Sequence, residues 1–180
     1  GEKEPSKGCI SPCSKEENGS WGGNDDGNVQ LTRDGGKTWD DLESKLRGAP
    51  GGGWIPQIHV SGQNPGEAFV VINNYRQNDW ETYVYHTNDF GKKWSRLADN
   101  NQVRGYALSI NQDSKVENLL FLGTENGLWV SVDKGENWAQ WQNGYPSVST
   151  TDIKIHPTEN DLILGTSGRT IFIIDNISLL

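Results

Sequence analysis

No apolar run in this chain approaches the length of a membrane span, and none has the build of a signal peptide. The chain opens on Gly1 without a Met, which leaves a removed leader or a residue from tag cleavage open. Hydrophobic residues make up only 33% of 180, against 22 Gly and 8 Trp. That shortage argues against a helical protein and points to many short strands, tight turns and aromatic packing. Positive charge is also in deficit. The net charge is −8 with both signs scattered, which excludes nucleic acid and anionic membrane as expected partners. Cysteine is limited to Cys9 and Cys13, without a C-x-x-C pair, so a zinc site has no support. On an extended strand the two would sit too far apart for a disulfide, whereas a turn at Ser11-Pro12 could close the gap; bridge and free thiols both stay open. The three histidines, His59, His86 and His156, show no metal-ligand spacing. There is no Ser-His-Asp signature, and Gly51-Gly52-Gly53 precedes Trp54 without the Lys-Ser/Thr that a phosphate loop needs. No cofactor and no metal are expected.

What the chain does contain is one pattern, S/T-x-D-x-G-x-x-W, in three copies: Thr32 to Trp39, Thr87 to Trp94 and Ser131 to Trp138. Each follows a short alternating run and precedes another, which is a hairpin signal. Thr32, Thr87 and Ser131 open the copies, and Asp34, Asp89 and Asp133 can accept from free turn N–H groups. Gly36, Gly91 and Gly135 supply positive φ, and Trp39, Trp94 and Trp138 fold back as large apolar faces. All twelve residues are expected to be structural, with the three Trp buried.

Extending outward from these turns gives a larger unit of four antiparallel strands. Its first strand recurs around Cys9-Ile10, Gln57 to Val60, Ala107 to Ile110 and Asp152 to Ile155. From Asp34 to Asp89 is 55 residues and from Asp89 to Asp133 is 44, the period of β-propeller blades. The fold class is therefore all-β, a propeller of about four blades here, at 9–48, 54–98, 106–142 and 150–180, after an extension or linker over 1–8. The fourth unit stops short of its outer strand. Propellers have ~4–8 blades, so the preferred expectation is part of a larger ring whose remaining blades belong to a longer parent chain. A dimer of half-rings is the alternative. Glu43 to Arg47 offers one helical turn before Gly48-Ala49-Pro50-Gly51 stops it.

These turns resemble the Asp-box, or bacterial neuraminidase repeat. Gly23 to Trp39, Gly123 to Ser131 and Gly165 to Ile177 are similar to bacterial secreted propellers of the sortilin-like and glycosyl hydrolase-like groups. The resemblance covers almost everything from Trp21 onward. It implies a secreted, periplasmic or cell-surface location, and it places the boxes on the face opposite any ligand. It does not fix an activity, because such propellers include sialidases, xyloglucan-cleaving glucanases, photosystem assembly factors and peptide-binding sortilins. A sialidase is disfavoured, since Trp54-Ile55-Pro56 lacks the Arg of that family's motif and the chain holds only six Arg.

The opposite face gathers turns between strands two and three and the inter-blade connections. It carries Asp25, Asp26, Glu125, Ser167, Arg169, Trp54, Arg104, Tyr106 and Tyr145. It also carries one expanded connection, Asn73 to Thr82, where the sibling units have short Gly turns. Aromatic rings beside amides, carboxylates and Arg suit a sugar or a peptide. The expected ligand-binding residues are Tyr75, Arg76, Asp79, Trp80, Arg104 and Arg169. If the chain is a glycoside hydrolase, its paired carboxylates come from Asp25, Asp26, Asp79 and Glu125, though no spacing selects a pair. The favoured expectation is a non-catalytic module for peptide or glycan.

Overall fold

A computed structural model describes residues 8–179; apart from Gly8, the extension expected over 1–8 lies outside them. The chain folds into four antiparallel sheets in sequence order. The first holds β1 (Cys9–Pro12), β2 (Ser20–Gly23), β3 (Val29–Thr32) and β4 (Asp40–Asp41). The second holds β5 (Trp54–Val60), β6 (Ala68–Asn74), β7 (Asp79–Thr87) and β8 (Ser95–Ala98). The third holds β9 (Ala107–Gln112), β10 (Leu120–Thr124), β11 (Gly127–Ser131) and β12 (Ala139–Trp141). The last has three described strands, β13 (Thr150–Ile155), β14 (Leu162–Thr166) and β15 (Ile171–Ile174). Short up-and-down sheets packed face to face in chain order are propeller blades. Among the described residues, helix is confined to three single 3-10 turns, one of them Glu43–Lys45.

The three repeated turns are built alike, which explains why their residue types recur. The Thr87 hydroxyl donates to Asp89 Oδ1 at 2.9 Å and accepts from Gly91 N at 3.0 Å, while Lys93 N donates to the same carboxylate at 2.9 Å. Thr32–Asp34 and Ser131–Asp133 repeat this network within 2.7–2.9 Å. Gly36, Gly91 and Gly135 turn the chain at φ of +90°, +76° and +89°, a region that costs other residues steric strain. Hydrogen bonds from Thr38 hold the Asp34 carboxyl at about 2.

Blades join through apolar seams. Each has a trailing face toward the preceding blade and a leading face toward the next. Strand register puts Ile10, Ile58, Ile110 and Ile153 at one trailing position, paired with Gly22, Val70, Leu122 and Leu164. Trp94 of the second blade meets Trp21 of the first edge-on, with ring centroids 6.0 Å apart. Trp138 of the third donates its indole N–H to Leu97 O of the second at 3.1 Å. Trp94 and Trp138 thus pack backward onto the preceding blade. This corrects one expectation. Trp138 is 9% exposed and Trp94 partly buried, but Trp39 is 41% exposed, because no blade of this arc precedes the first. Both cysteines are free thiols.

The second seam carries a buried polar layer. Glu67, with no side-chain exposure, receives His86 Nε2 at 2.8 Å and Lys134 Nζ at 2.7 Å across the blade boundary. Beside it, His59 accepts from Gln112 N at 3.3 Å, and burial lowers its pKa to about 4, with the Glu67 charge opposing. A folded value below the unfolded one means that the unfolded chain binds this proton first. Stability therefore falls as pH drops from ~6.5 toward ~4, by up to ~1.4 kcal/mol per pH unit. His59→Gln keeps an acceptor for Gln112 N, so it should flatten the pH dependence of urea midpoints in that window. An unchanged acid slope would show that His59 titrates normally.

Candidate ligand-binding site

The face formed by the β2–β3, β6–β7 and β10–β11 turns is dominated by the second blade. β6 and β7 run longer than their siblings, to the pair Asn74–Asp79. The connection expected as an expanded loop is therefore mostly strand. Its turn is a single 3-10 turn, Tyr75–Gln77, closed by Asn78 in the left-handed region at φ +60°. The ladder runs from Ala68–Thr87 to Ile72–Tyr83 and, past one irregularity, to Asn74–Asp79.

This rigid hairpin tip presents aromatic rings to the start of the third blade. Tyr75 stacks on Tyr106 with centroids 4.8 Å apart and planes at 21°. Trp80 lies 5.7 Å from Tyr106 and 6.4 Å from Tyr75, and is 53% exposed. The Arg76 guanidinium sits 5.1 Å from the Trp54 ring and 5.8 Å from Tyr75. Beneath it, Asp25, Trp54, Asn73, Asn74 and Arg76 line a small cavity of about 190 Å³. Asn73 is 1% exposed; its Nδ2 donates to Ala107 O at 3.2 Å, while its Oδ1 has no partner. A buried acceptor without a donor costs free energy until something supplies one.

Several expected residues have other duties. Asp79 accepts from Asn74 Nδ2 at 3.1 Å, Tyr83 Oη at 2.8 Å and Glu81 N at 3.1 Å. Burial raises its pKa, but these three bonds and the Arg96 charge carry it below the ordinary carboxylate value. It braces the hairpin. Tyr145 is buried between the third and fourth blades, edge-on to Phe172 at 5.1 Å, with its hydroxyl 2.6 Å from Thr150 Oγ1. Arg104 and Arg169 are exposed, and Arg169 sits in the β14–β15 turn; the aromatic contacts do not extend to either. Glu125 N donates to Tyr106 O at 3.1 Å, and burial, then the Glu125 charge, raises the Tyr106 hydroxyl pKa. Asp25 and Asp26 are exposed on the β2–β3 turn. Sequence reasoning had Asn73 only as a member of the loop; no residue pattern marks an orphaned acceptor.

The chemistry on offer is stacking, cation–π contact and directional hydrogen bonding. A glycosidase acid needs a raised pKa and a partner carboxylate across the scissile bond. Asp79 is shifted the other way.

Fold and site define a β-propeller that resembles the sortilin-like and glycosyl hydrolase-like propellers. No known family profile matches the chain. It is 31% identical over 81 residues to vacuolar protein sorting/targeting protein 10 of Leptosphaeria maculans, covering 45% of this chain and 5% of that protein. It is 26% identical over 167 residues to the oligoxyloglucan-reducing end-specific xyloglucanase of Emericella nidulans, covering 83% of this chain and 19% of that enzyme. The chain thus spans a small part of the curated relatives it matches. Among solved structures, YCF48 from Cyanidioschyzon merolae superposes with a TM-score of 0.65 at 22% identity, over 93% of this chain and 52% of that one. YCF48 bound to a D1 peptide gives 0.67 at 18% identity, over 97% and 54%. A xyloglucanase of glycoside hydrolase family 74 from Xanthomonas campestris gives 0.70 at 14% identity, over 93% and 28%. At these identities the superpositions show the fold. No helix among the described residues is long and apolar enough to cross a membrane.

Proposed function

We propose that this chain is a non-catalytic propeller module that binds an extended polar ligand, a peptide or glycan, across the face of the second and third blades. The observation that carries the reading is the stacked Tyr75–Tyr106–Trp80 surface beside Arg76 and the unpaired Asn73 Oδ1. A flat apolar wall with one cation and one free acceptor suits a ligand with alternating apolar faces and N–H or O–H donors. A solved YCF48 structure carries a D1 peptide, which supports a peptide as the first ligand class to test. We place the protein outside the cytoplasm, in keeping with the sorting receptor and xyloglucanase it resembles.

A hydrolase is the second reading, favoured by the similarity to a xyloglucanase over 83% of the chain. Peptide and glycan arrays on the full chain separate the two. Trp80→Ala should weaken binding by about tenfold, the loss of roughly 1.4 kcal/mol of stacking, without changing the melting temperature. Asp79→Asn should act through the hairpin and lower stability more than affinity. Turnover of a xyloglucan that Asp25→Asn or Glu125→Gln abolishes would replace the module with the hydrolase. Binding insensitive to Trp80→Ala and Tyr106→Ala would move the site elsewhere.

A further inference from the structure

The connection between the first two blades, residues 42–53, is longer than its siblings at 99–106 and 142–149. Leu46 is buried in it, as Val103 and Tyr145 are in theirs. The residues that follow bring little side-chain volume, because Gly48, Gly51, Gly52 and Gly53 fall among them. A Cβ on Gly51 or Gly52 would meet nothing within 4 Å. A cavity of about 520 Å³ results between the first two blades. Its floor is apolar, with buried Leu46 and Ile72 beside Pro50, and its rim carries Asp41, Glu43 and Arg47. It adjoins the smaller cavity beneath Arg76. Gly27 of the β2–β3 turn lines the one and Asp25 the other, and on β6 Ile72 lines the one and Asn73 the other.

The rim charges have no partners of opposite sign. Among the described residues Asp41, Glu43 and Arg47 make no ion pair. Asp41 Oδ1 accepts from Glu43 N at 3.0 Å, and the Arg47 carbonyl accepts from Tyr85 Oη at 3.0 Å, so backbone contacts hold the rim in place. Asp25, Asp26 and Asp40 are exposed nearby and also unpaired with any cation, against a single further cation, Lys45. This corner is acidic. An anion would meet like charge. An apolar group would desolvate the carboxylates without pairing them. A bare cation would gain nothing from the floor, and no cluster of metal-ligating side chains occurs among the described residues. A long basic side chain satisfies both parts, its methylene stem on Leu46, Ile72 and Pro50 and its charged head at the carboxylates. Arg47 then needs an acceptor, which a peptide supplies in the carbonyl next to that side chain.

We infer that this cavity is a second subsite of the ligand face and takes a Lys or Arg side chain of an extended peptide. The residues beside it cross Arg76 to reach the Tyr75–Tyr106–Trp80 surface. The subsite rests on the reading of that surface as a binding site, and it commits the ligand to one class, a peptide with a basic residue.

Fluorescence anisotropy on the full chain tests this with labelled peptides that hold one Arg and one Trp at varied separations in a Gly-Ser background. Each has a twin with citrulline in place of Arg, which keeps the shape and removes the charge. At ~50 mM salt the best Arg peptide should bind about tenfold tighter than its twin, the size of one charge-assisted hydrogen bond, and ~300 mM salt should shrink that ratio. The double variant Asp41→Asn, Glu43→Gln keeps the Oδ1 acceptor for the residue 43 N–H and should bring the ratio close to one. Trp80→Ala should weaken both twins alike and leave the ratio standing. Loss of the Arg preference alone therefore reports on the cavity, and loss of affinity for both twins reports on the aromatic surface. Equal binding of the twins, an Arg preference that survives the double variant, or no binding of any Arg peptide at ~1 mM would overturn the subsite. So would tighter binding of glucosamine oligomers than of the peptides, which would give the cavity to an amino sugar.

Discussion

Trp138→Ala is expected to cost about 3–5 kcal/mol, the range for removing a buried large aromatic, while Trp39→Ala costs under ~1 kcal/mol in the monomer. The residues hold the same position in the same motif. Trp138 is 9% exposed, seals the second seam and donates its N–H to Leu97 O. Its removal opens a cavity and strips Leu97 O of a donor. Trp39 is 41% exposed and has no blade behind it. Trp94, edge-on to Trp21 and bonded to Gly91 O at 2.9 Å, should fall between. For a chain of 180 residues a loss of 1 kcal/mol lowers the melting temperature by ~2–4 °C, so the Trp138 variant should melt at least about 6 °C lower. Urea melts at low protein concentration give the ranking. Equal losses at Trp39 and Trp138 would mean that the backward-packing rule is wrong.

Lys134→Met should destabilise the chain by about 3–5 kcal/mol at neutral pH, the usual result of breaking a buried ion pair. Lys134 crosses from the third blade to Glu67 in the second at 2.7 Å and also meets Glu117 at 2.9 Å. Glu67 Oε2 already lacks a partner, so losing Nζ leaves the carboxylate with His86 alone. Burial pushes the Glu67 pKa up, but the His86 and Lys134 bonds outweigh it and hold the carboxyl at about 2. A depressed folded pKa contributes stability above the unfolded value of ~4.5, and that contribution is lost as pH falls through about 2. Without Lys134 the folded pKa rises, so the variant should lose its deficit relative to wild type as pH falls below ~5. The double variant Glu67→Gln, Lys134→Met should recover most of the loss. A loss under 1 kcal/mol at pH 7, or one that persists unchanged at pH 3, would show that the pair is solvated.

Much of the fold was legible because its signals are local. A turn that needs a hydroxyl, a carboxylate and a positive-φ glycine at fixed offsets must spell them in order, and three copies do. The fourth copy was not legible. Asn176 follows Ile174 as Asp34 follows Thr32, and Ile177 N bonds Asn160 O as Gly35 N bonds Asn18 O, but without the Asp, Gly and Trp the pattern disappears. The length of β6 and β7 was read as loop because amides and charges at Asn73, Asn74 and Asp79 carry turn propensity. Cross-strand pairing overrode it. Tyr75, Arg76 and Trp80 lie together at the tip of the second blade, with Tyr106 and Trp54 beside them from the inter-blade connections. Asp79 is bonded within its own hairpin, and Tyr145 is buried against Phe172 of the fourth blade, a contact that no local pattern spells out.

The sequence by itself determined the repeat, the turn chemistry and the blade as the unit, since these depend on neighbours within about one blade. Only the tertiary structure decided which of three equivalent tryptophans is exposed, which carboxylate is held by its own hairpin and which buried amide lacks a donor. The first and last depend on packing between blades, where an identical motif meets a different neighbour each time, and the second on how far two strands stay paired.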